Sequence, residues 1–309
     1  MRFFQSAKYR FLKGRRQAYL FSATFIVAGM ISIALHGGLR AGVDFTGGTL
    51  VQVHLNRASG VGELRDLLSG TGYTGGAAQI QRFQGENEFL IRLQAFEETG
   101  EGVAQRLSAV LSAEFGADGF EISRVEAVGP KVGGELKVKA TYAILLSFLL
   151  TMIYLAFRFE WRFGVAAVVA TVHDILITFG FISLLNVEIT LATVAAILTI
   201  VGYSLNDTIV IFDRIRENFR KKRKEPYEDT LNRSINETLP RTVLTSGTTL
   251  MALVALYVLG GPVIQPFALV LIMGIVIGTY SSIFVASPAL LEIHRWGRKR
   301  SAAHAAAAG

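Results

Sequence analysis

Residues 189–212 read ITLATVAAILTIVGYSLNDTIVIF. This run is long enough to be a membrane-spanning helix, since about 20 apolar residues cross the hydrocarbon core of a bilayer. It also contains Asp207, with the polar residues Asn206 and Thr208 on either side. An ionisable side chain at membrane depth is energetically costly and usually has a function. The run therefore predicts a membrane protein, and proton or ion movement is the first function to consider.

The rest of the chain is also apolar in blocks. It has 309 residues, of which 51% are hydrophobic, and its mean hydropathy of +0.43 is high for a water-soluble domain of this length. We interpret the first block as a retained helix rather than a cleaved signal peptide, because no convincing cleavage site follows it. We predict six membrane-spanning helices, with apolar cores at 18–35, 141–157, 163–185, 189–212, 242–259 and 267–291.

Lys and Arg are unevenly distributed between these blocks. Six precede the first block, nine lie in residues 214–241 and four follow the last block, whereas the turns 186–188 and 260–265 carry none. Because positively charged loops stay in the cytoplasm, we predict that both terminal segments, 1–17 and 298–309, are cytoplasmic. Orientation and anionic membrane lipids account for the net charge of +7, and nucleic acid is not an expected partner.

Residues 37–136 are expected to form an extracytoplasmic domain between the first and second spans. Their order, β-α-β-β-α-β, is that of a ferredoxin-like domain with a split βαβ arrangement. The fold class is therefore an α-helical membrane protein with six transmembrane helices and a small α+β domain between helices 1 and 2. The periodicity predicts strands at 50–55, 78–83, 88–93 and 120–128 and helices at 60–69 and 99–115.

The predicted domain boundaries place transmembrane helix 1 at 18–36 and helices 2–6 within 137–297. Between the fourth and fifth spans lies a cytoplasmic connector, residues 214–240, with apolar residues in partial helical register. This pattern is consistent with an amphipathic helix lying along the membrane surface. A solvated connector without a partner is the alternative.

A few ionisable groups lie within the predicted spans or at their edges: His173, Asp174, Asp207, Asp213 and Arg241. At 1.5 Å per residue, Asp174 and Asp207 reach comparable depth in neighbouring antiparallel helices, so we expect them to be able to face one another. His173 adds an imidazole, a common member of proton relays. From spacing alone, Asp213 and Arg241 are better explained as structural groups at the membrane edge. A structural hydrogen bond to a neighbouring helix is the alternative role for Asp207.

The segment AGVDFTGGTL, residues 41–50, follows the first span. Asp44 and the pair Gly47 and Gly48 favour a tight structural turn there. The cytoplasmic segments contain no motif for nucleotide binding, zinc-dependent proteolysis or a serine nucleophile. The chain also has no cysteine. We therefore predict a protein that is not an enzyme, with no cofactor and no metal site.

Four sequence features together resemble one family. They are GVDFTGGT at 42–49, the pair His173-Asp174, VGYSLNDTIVIFDRIREN at 201–218, and LNRSINETLPRTVLTS at 231–246. These features are similar to those of SecF, the smaller partner of SecD in the bacterial protein-export machinery, within the resistance-nodulation-division superfamily. The resemblance covers nearly the whole chain.

The resemblance implies a multi-pass protein of the bacterial plasma membrane that forms half of a SecD and SecF assembly. Such an assembly associates with the SecYEG channel and uses the ion gradient to assist export, while its external domain engages the translocating unfolded polypeptide. In the family, the Asp that matches Asp207 and the Arg that matches Arg241 are implicated in proton coupling. The expected coupling residues are Asp207, Arg241, Asp174, His173 and Asn206, and the family motif after helix 1 comprises Asp44, Phe45, Gly47 and Gly48.

Two other functions remain open from the sequence. One is a passive scaffold that stabilises the translocon without conducting ions. The other is an efflux or lipid transporter of the same superfamily, although six spans and one small external domain disfavour it. The sequence also does not distinguish H⁺ from Na⁺ as the coupling ion, since carboxylates and hydroxyls bind either.

Overall fold

A computed structural model describes residues 8–69, 78–83, 87–93, 100–221 and 225–307. A 3₁₀ turn, Phe11–Gly14, precedes the first helix, and a π-helical turn, Ser282–Ala286, joins the last two. The elements in chain order are α1 (Arg15–Leu35), α2 (Val43–Thr46), β1 (Gly48–Leu55), α3 (Val61–Ser69), β2 (Ala78–Arg82), β3 (Glu88–Leu93), α4 (Gly100–Phe115), β4 (Phe120–Val128), α5 (Pro130–Arg158), α6 (Trp161–Leu184), α7 (Leu191–Lys221), α8 (Tyr227–Leu259), α9 (Gly261–Ser281) and α10 (Ser287–Ala307).

Six helical segments of the described chain are long and apolar enough to cross a membrane, which confirms the predicted number. The last segment combines α9, the π-helical turn and most of α10. The chain is therefore a multi-pass membrane protein. The six segments are Phe11–Leu35, Lys131–Arg158, Trp161–Leu184, Leu191–Lys221, Tyr227–Leu259 and Val263–Arg298.

The segment 214–240 divides between two of these long helices. The end of α7 covers its first part and the start of α8 covers its last part. Leu231 and Ile235 are fully buried in the bundle core, so their helical register reflects packing on the bundle rather than on lipid. Pro240 lies inside α8, where it removes one backbone hydrogen bond without ending the helix. In its described part, the segment thus extends two bundle helices, which differs from both the surface helix and the solvated connector considered from the sequence.

Residues 41–142 form one compact unit. Its four strands pair in the order β2-β3-β1-β4, and all neighbours are antiparallel. In the central strand, Val51 pairs with Ile91 on one side and with Val125 on the other. Because β1 and β2 are separated by β3, the β1-α3-β2 connection is a split βαβ unit. The predicted ferredoxin-like fold is confirmed.

Alternate residues of the strands build the core of this unit. Val51, Phe89 and Ile91 point to one face of the sheet and have no exposed surface. Leu64 of α3 and Leu107 of α4 are equally buried and pack on the same face. This two-layer packing follows from the period of two in the strands and of 3.6 in the helices.

Residues 1–40 and 143–309 form the second unit, the helix bundle. Within their most apolar windows, α6, α7 and α9 are more than half buried, whereas α5 and α8 are mostly exposed. Phe212 of α7 packs edge-on against Phe163 and Phe159, with ring centroids 5.3 and 6.0 Å apart. The 31 residues of α7 extend about 46 Å, which exceeds the hydrocarbon thickness of about 30 Å. Its charged last turns therefore extend beyond the apolar layer.

Small residues allow the helices of the bundle to approach closely. A Cβ atom added to Gly29 of α1 would lie 2.5 Å from the Cα of Gly180 in α6. A Cβ atom on Gly278 of α9 would lie 2.9 Å from the Cβ of Ser204 in α7. Small residues at helix crossings are typical of membrane bundles, since close packing replaces the hydrophobic effect there.

Candidate ion-coupling site in the helix bundle

Asp207 lies on α7 with 3% of its surface exposed. It accepts a hydrogen bond from Ser246 Oγ of α8 over 3.4 Å. Ser246 also lies 2.7 Å from the hydroxyl of Thr279 on α9. The carboxyl group is therefore placed where three membrane helices meet, with one long hydrogen bond as its direct polar contact among the described residues.

Asp174, on α6, occupies a different environment. Its Oδ2 accepts hydrogen bonds from Ser204 of α7 over 2.5 Å and from Ser281 of α9 over 2.7 Å. Its Oδ1 lies 2.8 Å from Nδ1 of His173. Hydrogen bonds to a carboxylate are among the stronger ones in proteins. Three partners from α6, α7 and α9 thus hold Asp174 in place with 2% of its surface exposed.

His173 extends this network to the first helix. Its Nε2 lies 2.8 Å from Ser22 Oγ of α1, and that hydroxyl lies 3.3 Å from the phenol oxygen of Tyr280. If Nδ1 carries the proton donated to Asp174, Nε2 accepts the hydroxyl proton of Ser22; if both nitrogens are protonated, both donate. The network therefore accommodates neutral and charged imidazole.

The two carboxyl groups belong to neighbouring but separate hydrogen-bond networks. Ser204, which binds Asp174, precedes Asp207 by almost one turn of α7. On α9, Thr279 belongs to the Asp207 network and Ser281 to the Asp174 network. We expected the two carboxyl groups to be able to face one another, but among the described residues they share no hydrogen-bond partner.

A π-helical turn begins at this point of the bundle, at Ser282. The hydroxyl of Ser282 lies 2.9 Å from that of Thr208 and also donates to the backbone oxygen of Gly278. Wide turns of this kind are rare and are frequently found at functional sites. The irregular backbone therefore coincides with the polar cluster between α7 and α9.

Arg241 and Asn206 lie at the margin of the site. Arg241 is on α8, and its positive charge acts on Asp207 electrostatically, but no ion pair joins the two within the part of the chain that the structure describes. Its residue surface is exposed, as is that of Asn206. Asn206 lies on another face of α7 than the buried Asp207, so the structure does not bring it to the carboxyl group.

The motif after helix 1 lies in the unit 41–142 and has a local structural role. Asp44 and Phe45 belong to the single turn α2. Gly47 and Gly48 follow with φ of 72° and 108°, a backbone region that favours glycine. A Cβ atom on Gly133 of α5 would lie 3.0 Å from the backbone nitrogen of Gly47. The glycine pair thus permits the bend into β1.

The hydroxyl partners of Asp174 were not predicted from the sequence. Ser281, and also Ser22 and Tyr280 on the His173 side of the network, gave no signal, since isolated hydroxyls are common in apolar helices. Ser204 lies three residues before Asp207 in the sequence, so its spacing points to that carboxyl group and not to Asp174, which it binds. No cluster of three or more metal-ligating side chains occurs among the described residues.

Comparison with known proteins identifies the family. The model of the SecD/SecF protein-export membrane protein family, C-terminal region, matches residues 109–296. The chain belongs to the SecD/SecF family. It is 48% identical to the protein translocase subunit SecF of Gemmatimonas aurantiaca, over 99% of this chain and 94% of that protein. It is 39% identical to SecF of Escherichia coli O157:H7, over 94% of this chain and 89% of the relative. The resemblance inferred from the sequence motifs is confirmed.

Solved structures of the family agree with this assignment. The crystal structure of SecDF from Thermus thermophilus, a translocon-associated membrane protein, matches 93% of this chain with a TM-score of 0.83 and 38% identity. SecDF in its super-membrane-facing form matches 97% with a TM-score of 0.66. The chain covers 39% and 40% of those two SecDF chains, so it corresponds to part of the longer protein.

Proposed function

We propose that this chain is the SecF-type subunit of a bacterial protein translocase and uses an ion gradient to assist protein export. Asp207 is the ion-binding group in this proposal. The observation that carries it is a buried carboxyl group in a membrane helix whose direct polar contact is one hydrogen bond of 3.4 Å. A charge in that position is costly, so protonation or cation binding strongly changes its energy.

The contrast with Asp174 supports the choice of Asp207. Three side chains hold Asp174 at 2.5 to 2.8 Å, so releasing or rotating it requires several strong hydrogen bonds to break. Asp207 has fewer contacts to lose. We assign Asp207 to ion exchange and the pair His173 and Asp174 to a second, more rigid relay.

Arg241 provides the electrostatic part of the mechanism. Its charge attracts the ionised Asp207 and loses that attraction when the carboxyl group is protonated. A membrane potential of 100 mV is worth about 2.3 kcal/mol per elementary charge, which shifts a two-state equilibrium about 50-fold. A few ions per cycle therefore suffice to move α7 against α8. If the ion is Na⁺, the hydroxyl oxygens of Ser246 and Thr279 are available as further ligands.

The partners in this proposal are SecD, the SecYEG channel, the translocating unfolded polypeptide and membrane lipids. Support for SecD comes from the matched SecDF structures, in which the region similar to this chain is part of a longer protein. The basic helix ends favour a cytoplasmic location for both termini in the bacterial plasma membrane. Residues 37–136, between the first and second spans, are then extracytoplasmic, where an emerging polypeptide is available.

Export into membrane vesicles tests this function against that of a passive scaffold or of an efflux or lipid transporter. A model secretory protein is added to vesicles that contain the SecD partner and SecYEG. The gradient-dependent part of its transfer into the vesicles is measured for wild type, Asp207→Asn and Asp213→Asn. Asp213 is a matched control because it is a partly exposed carboxyl on the same helix, paired with Arg158.

We expect Asp207→Asn to lose the gradient-dependent part and Asp213→Asn to keep most of it. Dissipating the H⁺ gradient in one experiment and the Na⁺ gradient in another identifies the coupling ion. If Asp207→Asn assembles and exports at the full gradient-dependent rate, the chain acts as a scaffold and Asp207 is a structural group.

A further inference from the structure

Two adjoining pockets lie where the charged ends of α5, α6, α7, α8 and α10 come together. Their volumes are about 320 and 540 Å³, and both are lined by Arg216 and Arg220. We call the combined space the basic pocket. Its cationic lining residues are Arg158, Arg162, Arg216, Arg220 and Lys221, against three acidic ones.

The acidic residues only partly neutralise this pocket. Arg158 and Arg216 share the single carboxylate of Asp213, at 2.5 and 3.6 Å. Lys221 pairs with Glu217. Arg220 forms no ion pair with another described residue, although it lines both halves of the pocket. The pocket therefore retains an excess of positive charge and at least one guanidinium group available to an anion.

The existing ion pairs can be exchanged for contacts with a ligand. The side chains of Arg158 and Asp213 are 39% and 41% exposed, and partly exposed pairs of this kind are weak. Guanidinium groups bind phosphate through two parallel hydrogen bonds. Arg216 and Arg220 are four residues apart on α7 and so lie on one face of the helix, where one phosphate group can contact both guanidinium groups.

One wall of the basic pocket is aromatic. The ring of Tyr227 stacks on Phe219 at 4.7 Å and on His294 at 3.8 Å. Arg162 donates to Nδ1 of His294 over 3.4 Å. A free phosphate ion makes no favourable contact with this apolar wall, whereas the glycerol and first acyl carbons of a phospholipid can pack against it. Basic pockets between membrane helices are also typical binding sites for lipid headgroups.

We propose that the basic pocket binds the phosphate group of an anionic phospholipid, with Arg216 and Arg220 as its principal ligands. The aromatic wall formed by Phe219, Tyr227 and His294 contacts the apolar part of the headgroup region. This site does not depend on the proposed ion coupling, since Asp207 and its hydroxyl partners are not among the lining residues.

The neighbouring Trp161 provides a local reporter. It begins α6 and is 58% exposed, and Arg162 lies 5.6 Å over its ring. The chain has two tryptophans, so Trp296→Phe leaves Trp161 as the single tryptophan. This protein is reconstituted into phosphatidylcholine vesicles that contain increasing fractions of brominated phosphatidylglycerol or brominated phosphatidylcholine, and quenching of Trp161 is measured.

We expect brominated phosphatidylglycerol to half-saturate quenching at a several-fold lower fraction than brominated phosphatidylcholine. Arg216→Gln with Arg220→Gln should abolish this preference, because each removed charge weakens binding of an anionic headgroup by about fivefold. Lys8→Gln with Arg10→Gln is the matched control, since it removes two exposed cations outside the pocket, and it should keep the preference.

Three results would overturn the proposal. Equal quenching by the two lipids excludes a selective site. An equal loss in both double variants indicates diffuse surface charge rather than this pocket. Binding of inorganic phosphate that is lost in Arg216→Gln with Arg220→Gln, in a wild-type protein that shows no preference for the anionic lipid, identifies free phosphate, instead of a lipid headgroup, as the ligand.

Discussion

Replacing Gly29 by alanine should separate α1 from α6. The new Cβ atom would lie 2.5 Å from the Cα of Gly180, whereas non-bonded carbon atoms prefer about 3.5–4.0 Å. Since the obstructing atom belongs to the backbone, the helices must move apart by about 1 Å. The neighbouring hydrogen bond between Ser32 and Ser183, 2.8 Å long, would then stretch beyond hydrogen-bond distance.

The expected cost has two parts. Overpacking of this kind costs about 1–3 kcal/mol, and a hydrogen bond between membrane helices contributes about 0.6–1.7 kcal/mol. We expect the melting temperature of Gly29→Ala to fall by about 5–10 °C, measured in detergent by tryptophan fluorescence. Gly247→Ala is the control, because a Cβ atom there meets nothing within 4 Å. If both variants melt at the wild-type temperature, the close approach of α1 and α6 is refuted.

Three further substitutions test other parts of the structure. Ser281→Ala removes a donor to the buried carboxylate of Asp174 and should cost about 1.5–3 kcal/mol; unchanged thermal stability would contradict that contact. Leu107→Ala creates a cavity in the core of the unit 41–142 and should cost about 2–5 kcal/mol; hydrogen exchange should rise in its strands, and protection equal to wild type would argue against this core. Arg158→Gln breaks a partly exposed ion pair with Asp213 and should change stability by at most about 1 kcal/mol; a larger loss in urea unfolding would show that the pair is buried.

Much of the fold followed from periodicity. Apolar runs of spanning length predicted the six membrane helices, and alternation with a period of two predicted strands close to the observed ones. The helical ends were harder to predict. Residues 214–240 were interpreted as a connector between two spans, but Leu231 and Ile235 pack into the bundle core, and α8 continues through Pro240. Such tertiary packing overrides local signals and is not visible in the sequence.

The residues of the candidate site were likewise predicted only in part. Asp207, Asp174 and His173 were found because ionisable groups are rare in apolar helices. Their hydroxyl partners were not predicted. The pairing of serines with carboxyl groups depends on the rotation and crossing of helices that are distant in sequence. Ser281 is 107 residues from Asp174 along the chain.

The central claim is that Asp207 must bind and release an ion for gradient-driven export. The export of a secretory protein is measured in proteoliposomes that contain the SecD partner and SecYEG, under an imposed ion gradient. Wild type, Asp207→Glu and Asp207→Asn are compared at equal incorporation. We predict that Asp207→Glu retains part of the gradient-dependent export, because it keeps an ionisable carboxyl group, and that Asp207→Asn retains none. Gradient-dependent export at the wild-type rate by Asp207→Asn would contradict the claim.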